Sequence, residues 1–460
     1  MSARLHLLAS ALRKLRKDED GSILVLFSLM AFVSFGMAGL ALDGGRLFAL
    51  NNEMQDLADA SALAGARELD GEADAITRAT TSAQTLLANN PKWADTGSTG
   101  VQIGTPIFYA GPGPNDNATT DPKYAIFIQV TTVNRGIIPT LLRAVGATST
   151  QQTSATATAG TGIVACNTQP MMLCNPMEPN EFTATAGQTF HFKVKGGNGN
   201  QSLAPGDFGL IDPPGFDSSG ANATRDLLSQ QSPPRCYANN VNPRTGQAVG
   251  PVKDGLNIRF DQFPSGGGNL GNFDKTVAPN VIDGLVPSAS CNQYDPATGT
   301  PPPTALPDGA LTPSAGLEIG PGPTNADLDA YWQSQHGAGA TWPAGLPRTR
   351  YAAYLAELGQ WPGISAPTLF REPMAPACYS RPSNGGTLGN AKRRIMSVAI
   401  VDCLHWNVHG NAVNDIRASK YADFFMTKPS DDGSLTTEFV QTVTPGSGNG
   451  NLHRIVQLYK

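Results

Sequence analysis

His405-Trp406-Asn407-Val408-His409 places two imidazoles four positions apart, the spacing at which one face of a helix can offer both to a zinc ion. A hydrolytic zinc helix of that kind needs a glutamate directly after the first histidine as general base, and Trp406 stands there. The segment therefore reads as a loop or strand whose histidines face solvent or satisfy local hydrogen bonds. Cys166, Cys174, Cys236, Cys291, Cys378 and Cys403 are the other candidates for chemistry. An even count without a CxxC pair favours disulfides over a zinc site. The expected pairing joins sequence neighbours, Cys166 with Cys174, Cys236 with Cys291 and Cys378 with Cys403; other pairings, or free buried thiols acting as small apolar side chains, remain alternatives. No G-x-S-x-G elbow occurs, and the glycine-rich stretches 196–199 and 446–450 lack the lysine and following helix of a phosphate loop. The expectation is a non-enzymatic chain with no catalytic residue, no metal ligand and no cofactor.

The strongest signal is apolar. From Ile23 to Leu42 no residue is charged, and as a helix this run covers about 30 Å, the thickness of bilayer hydrocarbon. Arg4, Arg13, Lys14, Arg16 and Lys17 precede it, which assigns the short tail to the cytoplasm and everything after Asp43 to the far side. A cleaved signal peptide is the competing reading. Its apolar core is shorter and ends in an A-x-A-like site, for which Gly39-Leu40-Ala41 is a poor substitute. Helical spacing continues beyond the run through Leu47, Leu50, Met54, Leu57, Ser61, Ala64 and Glu68. The alanines and Gly65 along it suit close packing, more on the protein's own sheet than on a foreign helix.

Composition bounds the rest. With 50 glycines, 36 prolines and 15% charged residues among 460, turns and irregular segments outweigh long helices. The net charge of -5 and the lack of basic clusters beyond the N-terminal tail exclude nucleic acid as a partner. A second helix is expected within 72–89, strands over 101–109 and 124–133 pairing as a hairpin, a short amphipathic helix over 137–145 and a strand over 149–159. Beyond residue 162 prolines and glycine-rich punctuation dominate, with strands at 188–194, 394–403, 424–426, 437–443 and 454–459 and short helices at 325–335 and 348–358. The later strands are expected to form one antiparallel sheet closed by the C-terminal strand. Thr245 to Asp261 reads as a turn followed by a strand, with Lys253 and Arg259 offering a partner surface as the alternative.

The run from Asp18 to Gly71 closely resembles the N-terminal region of TadG-like proteins of the Flp (tight adherence) pilus system. Its carriers are Gly21-Ser22 entering the apolar run, Asp43 and Gly45-Arg46 leaving it, and the helix Gln55-Asp56-Leu57-Ala58-Asp59-Ala60-Ser61-Ala62-Leu63-Ala64. RRIMSVAIVDC (393–403), YADFFMTKP (421–429) and IVQLY (455–459) also look like longer members. The resemblance implies a membrane-anchored accessory component of pilus assembly or surface attachment. One departure narrows it: pilins and pseudopilins carry a glutamate five residues after their cleaved glycine, and counting from Gly21 that place holds Leu26. A processed filament subunit would lack its charge partner inside the membrane, which favours a retained anchor. Some relatives also look like von Willebrand A domains, whose metal site needs Asp-x-Ser-x-Ser. Here Asp402-Cys403-Leu404-His405-Trp406 lacks both serines, so no metal site carries over.

The fold expected is α+β: a cytoplasmic tail (1–20), a single transmembrane helix (21–43), a periplasmic pilin-like helix-plus-sheet domain (44–162) and a loop-rich, cysteine-containing, mainly β domain (163–460). The expected location is the bacterial inner membrane with the C-terminal bulk in the periplasm, and the expected partners are that membrane and pilus-assembly or pseudopilin proteins. The alternative is an anchored envelope adhesin or glycan-binding module, for which Trp332, Trp342 and Trp361 are the aromatic contacts.

Overall fold

A run of apolar and helix-favouring residues without proline produces one unbroken helix, α1 (Gly21–Ala66), of 46 residues and about 70 Å. The computed structural model describes residues 21–85, 91–95, 102–111, 118–146, 148–194, 202–212, 221–231, 233, 236–237, 240–244, 249–260, 262–264, 273–278, 312–314, 317–336, 339–364, 387–409, 416–430, 433–444 and 452–459. The chain divides into two units, one of residues 1–162 with 455–460 and one of residues 163–454.

In the first unit, α1 changes character along its length. Large apolar side chains from Ile23 to Leu42 stand exposed, Phe27 at 70% and Leu40 at 66%. Beyond them Leu50, Met54, Ala58, Ala62 and Ala66, spaced four apart on one face, are fully buried. Burying Leu50 and Met54 contributes about 1.5–3 kcal/mol each. The stripe packs on α2 (Ala75–Thr85) through Ala79 and Ala83, and on a sheet through Ile128 and Val130. Gly65 makes that approach possible, since a Cβ built there would lie 2.5 Å from Ile128 Cδ1.

The sheet runs β1 (Ile107–Tyr109), β2 (Phe127–Thr131), β5 (Thr156–Cys166) and then the C-terminal strand (Leu452–Tyr459). β1 and β2 are antiparallel, as the aromatic and branched runs suggested, with Tyr109 opposite Phe127. Phe127 faces Gly160 on β5, where its ring lies across the bare backbone and meets Tyr459 edge-on at 4.8 Å. A separate hairpin joins β3 (Arg135–Ile137) to β4 (Gln151–Thr153). The helix expected over 137–145 is thus mostly absent. Ile137 ends a strand, Pro139 disfavours helical backbone at Ile138, and only a 3-10 turn at Leu142–Val145 remains.

In the second unit β6 (Met171–Cys174), β7 (Thr189–Val194), β8 (Asp207–Ile211), β16 (Ile395–Val401), β17 (Ile416–Met426) and β18 (Leu435–Val443) form a ring in the order β8-β6-β16-β17-β18-β7. β7 pairs with β8 in parallel, Val194 opposite Phe208, and so closes it. β6 and β16 are also parallel, with Cys174 opposite Val401. This corrects the expected antiparallel sheet closed by the C-terminus: the last strand pairs with β5, and the ring is closed from within. A barrel of so few strands is filled by side chains. Phe190, Phe192 and Phe424 fill it, with Phe424 edge-on to Phe192 at 5.0 Å.

Short strands β9 (Cys236–Tyr237), β10 (Asn240–Val241) and β11 (Pro243–Arg244) attach to β5, β17 and β8. β13 (Thr312–Ser314) and β14 (Leu317–Gly320) extend from β7, and β12 (Thr276–Val277) pairs with β15 (Thr387–Leu388). Helices α3 (Ala221–Ser229) and α4 (Val249–Asn257) cross closely, because Gly255 lets the Arg225 carbonyl approach within 2.7 Å of where a Cβ would sit. The expected strand in 245–261 is therefore a helix followed by a 3-10 turn (Ile258–Phe260). α5 (Asn325–His336) and α6 (Arg350–Glu357) lie where helical spacing indicated.

Candidate functional site

The part of the molecule with the least conventional surface is the point where α1 stops being uncovered. Gly39, Asp43 and Leu50 lie on one helical face, and that face is buried at each of the three. At Gly39 a built Cβ would lie 2.9 Å from the Leu142 nitrogen, so the glycine lets the 3-10 turn rest on the helix. One turn later the Asp43 carboxylate, 2% exposed, accepts from the Thr140 N–H (3.1 Å), Thr140 Oγ1 (2.7 Å), Leu141 N–H (3.0 Å) and Leu142 N–H (2.9 Å). It satisfies donors at the start of the turn as an N-cap side chain would, although it comes from nearly a hundred residues away.

Arg46, three residues on and thus on the same side, donates to both oxygens of Asp95 at 2.9 and 2.8 Å. Asp95 Oδ2 also accepts from the Ile138 N–H at 2.8 Å, and Asn51 Oδ1 accepts from Thr153 Oγ1 at 2.7 Å. The helix and the 135–153 segment are stitched by Asp43 and Asn51 directly and by Arg46 through Asp95. Asp43 and Arg46 were visible in the sequence as the residues leaving the apolar run. Thr140, Asp95 and Gly39 were not, since no local pattern links them to α1; a small residue at Gly39 within an apolar run was the one available hint.

Cys166 bonds Cys236 and Cys174 bonds Cys403, correcting the expected pairing of sequence neighbours. Sheet register decides it: β5 and β9 set Cys166 directly opposite Cys236, and Cys174 faces Val401, two residues before Cys403. Cys291 and Cys378 lie outside the described residues. His405 sits in a turn, edge-on to Trp406 at 5.0 Å, and Asn407 has φ 47, so the two histidines share no helical face. Among the described residues no group of three His, Cys, Asp or Glu is placed to hold a metal ion.

Of the tryptophans offered for glycan contact, Trp332 is buried while Trp342 and Trp361 are half-exposed. Trp332 is 4% exposed, meets Trp342 in a tilted pair at 5.2 Å and shares a cluster with Leu346, Ala352 and Ala356, against which Trp361 packs; the Trp342 indole donates to the Leu346 carbonyl. Arg259 is not a surface contact either. Fully buried, it donates to the carbonyls of Leu228, Gln230, Arg393 and Ile395, while Arg393 donates to those of Ser229 and Thr276. Two guanidiniums thus hold the C-terminal carbonyls of α3, the end where a helix favours cations. Burial pushes the Arg393 guanidinium down to about 10, opposed by Asp274, and it remains cationic at neutral pH.

Among the described residues one helix has the length and composition to cross a membrane, and its apolar run ends at a hydrogen-bonded collar. No curated protein and no solved structure matches the chain. Residues 21–68, which span α1 and all the α1 residues of that collar, match the family described as putative Flp pilus-assembly TadE/G-like. The chain thus carries a TadE/G-like Flp pilus-assembly segment at its N-terminal helix, consistent with a TadG-like protein.

Proposed function

We propose that the protein is a membrane-anchored accessory component of Flp/Tad-type pilus assembly or surface attachment, and that it acts by binding other proteins and not by catalysis. α1 crosses the inner membrane once over Ile23–Leu42, and both folded units stand in the periplasm, where the disulfides are stable. The observation that carries this reading is the change within one helix, from large apolar side chains left exposed around most of its girth to a single buried stripe. A soluble protein would cover the first part. The five basic residues before the span favour this orientation, and the TadE/G-like match over residues 21–68 supports the pathway.

The test has two arms. Protease added to spheroplasts should digest the units while the untreated chain sediments with the inner membrane and resists alkaline extraction. Deleting the gene should reduce piliation and surface attachment, with restoration by the full chain and not by one lacking residues 21–43. A chain released by alkali, or digested only after the inner membrane is opened, overturns the reading.

A further inference from the structure

The 3-10 turn Leu142–Val145 lies beside the wrong part of α1 for a water-exposed loop. A Cβ built at Gly36 would meet Val145 Cγ1 at 3.8 Å, and one at Gly39 would meet Leu142 Cδ2 at 3.1 Å. Gly36 precedes Asp43 by two helical turns, about 10 Å along the axis, within the apolar run. The turn has therefore folded back along the span. Its own side chains suit that place: Leu142 and Val145 touch the helix and yet, like Leu141, are partly exposed, and Ile138 is 42% exposed just before them.

The backbone suits it too. In hydrocarbon a bare N–H costs several kcal/mol, so irregular backbone enters a membrane only where its polar groups are satisfied. Asp43 accepts the N–H groups of Thr140, Leu141 and Leu142 together with the Thr140 hydroxyl, and the Gly146 N–H returns to the Arg143 carbonyl at 3.2 Å. Arg143, exposed on the same turn, has the length to reach lipid phosphate from a shallow position.

We propose that Leu141–Val145 is an interfacial wedge, inserted beside α1 into the leaflet nearest the folded units, with Leu141, Leu142 and Val145 against lipid acyl chains and Arg143 at the phosphate level. The inference rests on α1 spanning the membrane as proposed above. It makes the anchor a helix plus a lipid-held turn, so that the first unit is fixed in angle as well as in position.

The test reconstitutes the full chain in vesicles of phosphatidylcholine and phosphatidylglycerol with brominated acyl chains, and reads the tryptophan emission that each variant adds to the unaltered chain. Leu26→Trp, in the middle of the span, reports on the anchor, and Val145→Trp reports on the wedge. Loss of the added emission in both supports the proposal. Quenching of Leu26→Trp with Val145→Trp unquenched overturns the wedge and leaves the anchor standing; both unquenched overturns the anchor and the wedge with it. Leu141→Trp, half-exposed on the same turn, gives the same reading if Val145→Trp does not fold, and quenching of neither wedge position in a chain with a quenched Leu26→Trp is again an overturning result.

Discussion

Two buried-charge sites, one in each unit, have opposite senses. The first unit sets one carboxylate, Asp43, against the N–H groups that open a turn; the second sets two guanidiniums, Arg259 and Arg393, against the carbonyls that end a helix. Each of these three ions is matched to the sign of the backbone end it meets. The difference lies in what each fixes. Asp43 fastens a surface turn to the long helix, whereas the arginines sit at the junction of α3, β12 and β16, where the second unit's core begins. A local fastening and a central one should fail differently.

Breaking the central one should cost most. Arg259→Met leaves four carbonyls without their donor and should lower the unfolding free energy of the second unit by about 3–5 kcal/mol, partly offset by relief of repulsion from Arg393. Arg259→Lys should not restore it, since one ammonium cannot span both carbonyl sets. Urea unfolding followed by tryptophan emission, four of whose five sources lie in the second unit, measures both. Cys403→Ser removes a cross-link between residues 229 apart and should cost about 2–5 kcal/mol in the same transition, with the first unit's amide exchange unchanged.

The first unit should respond more mildly. Gly65→Val forces carbon against Ile128 and should destabilise by about 1–3 kcal/mol, with much of that loss recovered by adding Ile128→Ala. Asp43→Asn keeps one acceptor oxygen but loses the charge, at a cost of about 1–2 kcal/mol; amide exchange at Thr140–Leu142 should accelerate roughly tenfold while that of α2 is unaltered. Arg46→Gln, removing a half-exposed pair with Asp95, should cost about 0.2–1 kcal/mol and leave exchange at Leu142 unmoved. A global loss of protection from Asp43→Asn would erase the distinction between local and central fastening.

Elements whose information is local are legible in the sequence, and those whose partners are distant are not. α1 was legible from its uncharged run and the 3,4 spacing that follows, and β7, β16, α5 and α6 from their own periodicity. The disulfides were not, because strand register and not chain proximity brings Cys166 to Cys236 and Cys174 to Cys403. α4 was misread because Gly250, Pro251 and Gly255 look like turn residues. Pro251 falls in the first helical turn, where a missing N–H costs nothing, and Gly255 serves the contact with α3. Of the collar, the two α1 residues stood out and their partners did not, since Thr140 and Asp95 meet them only after the sheet has formed.

The C-terminal strand has a consequence for timing. A ribosome delivers α1 and the first strands of its sheet early, but the seat beside β5 is filled by residues 455–459, which emerge only after the whole second unit has been made. Until then β5 is an open edge able to recruit a stray strand, including that of a sibling chain. Completing an early sheet with residues made after the second unit means that a copy stalled before them carries an open edge at β5, a mark by which quality control could separate unfinished chains from finished ones.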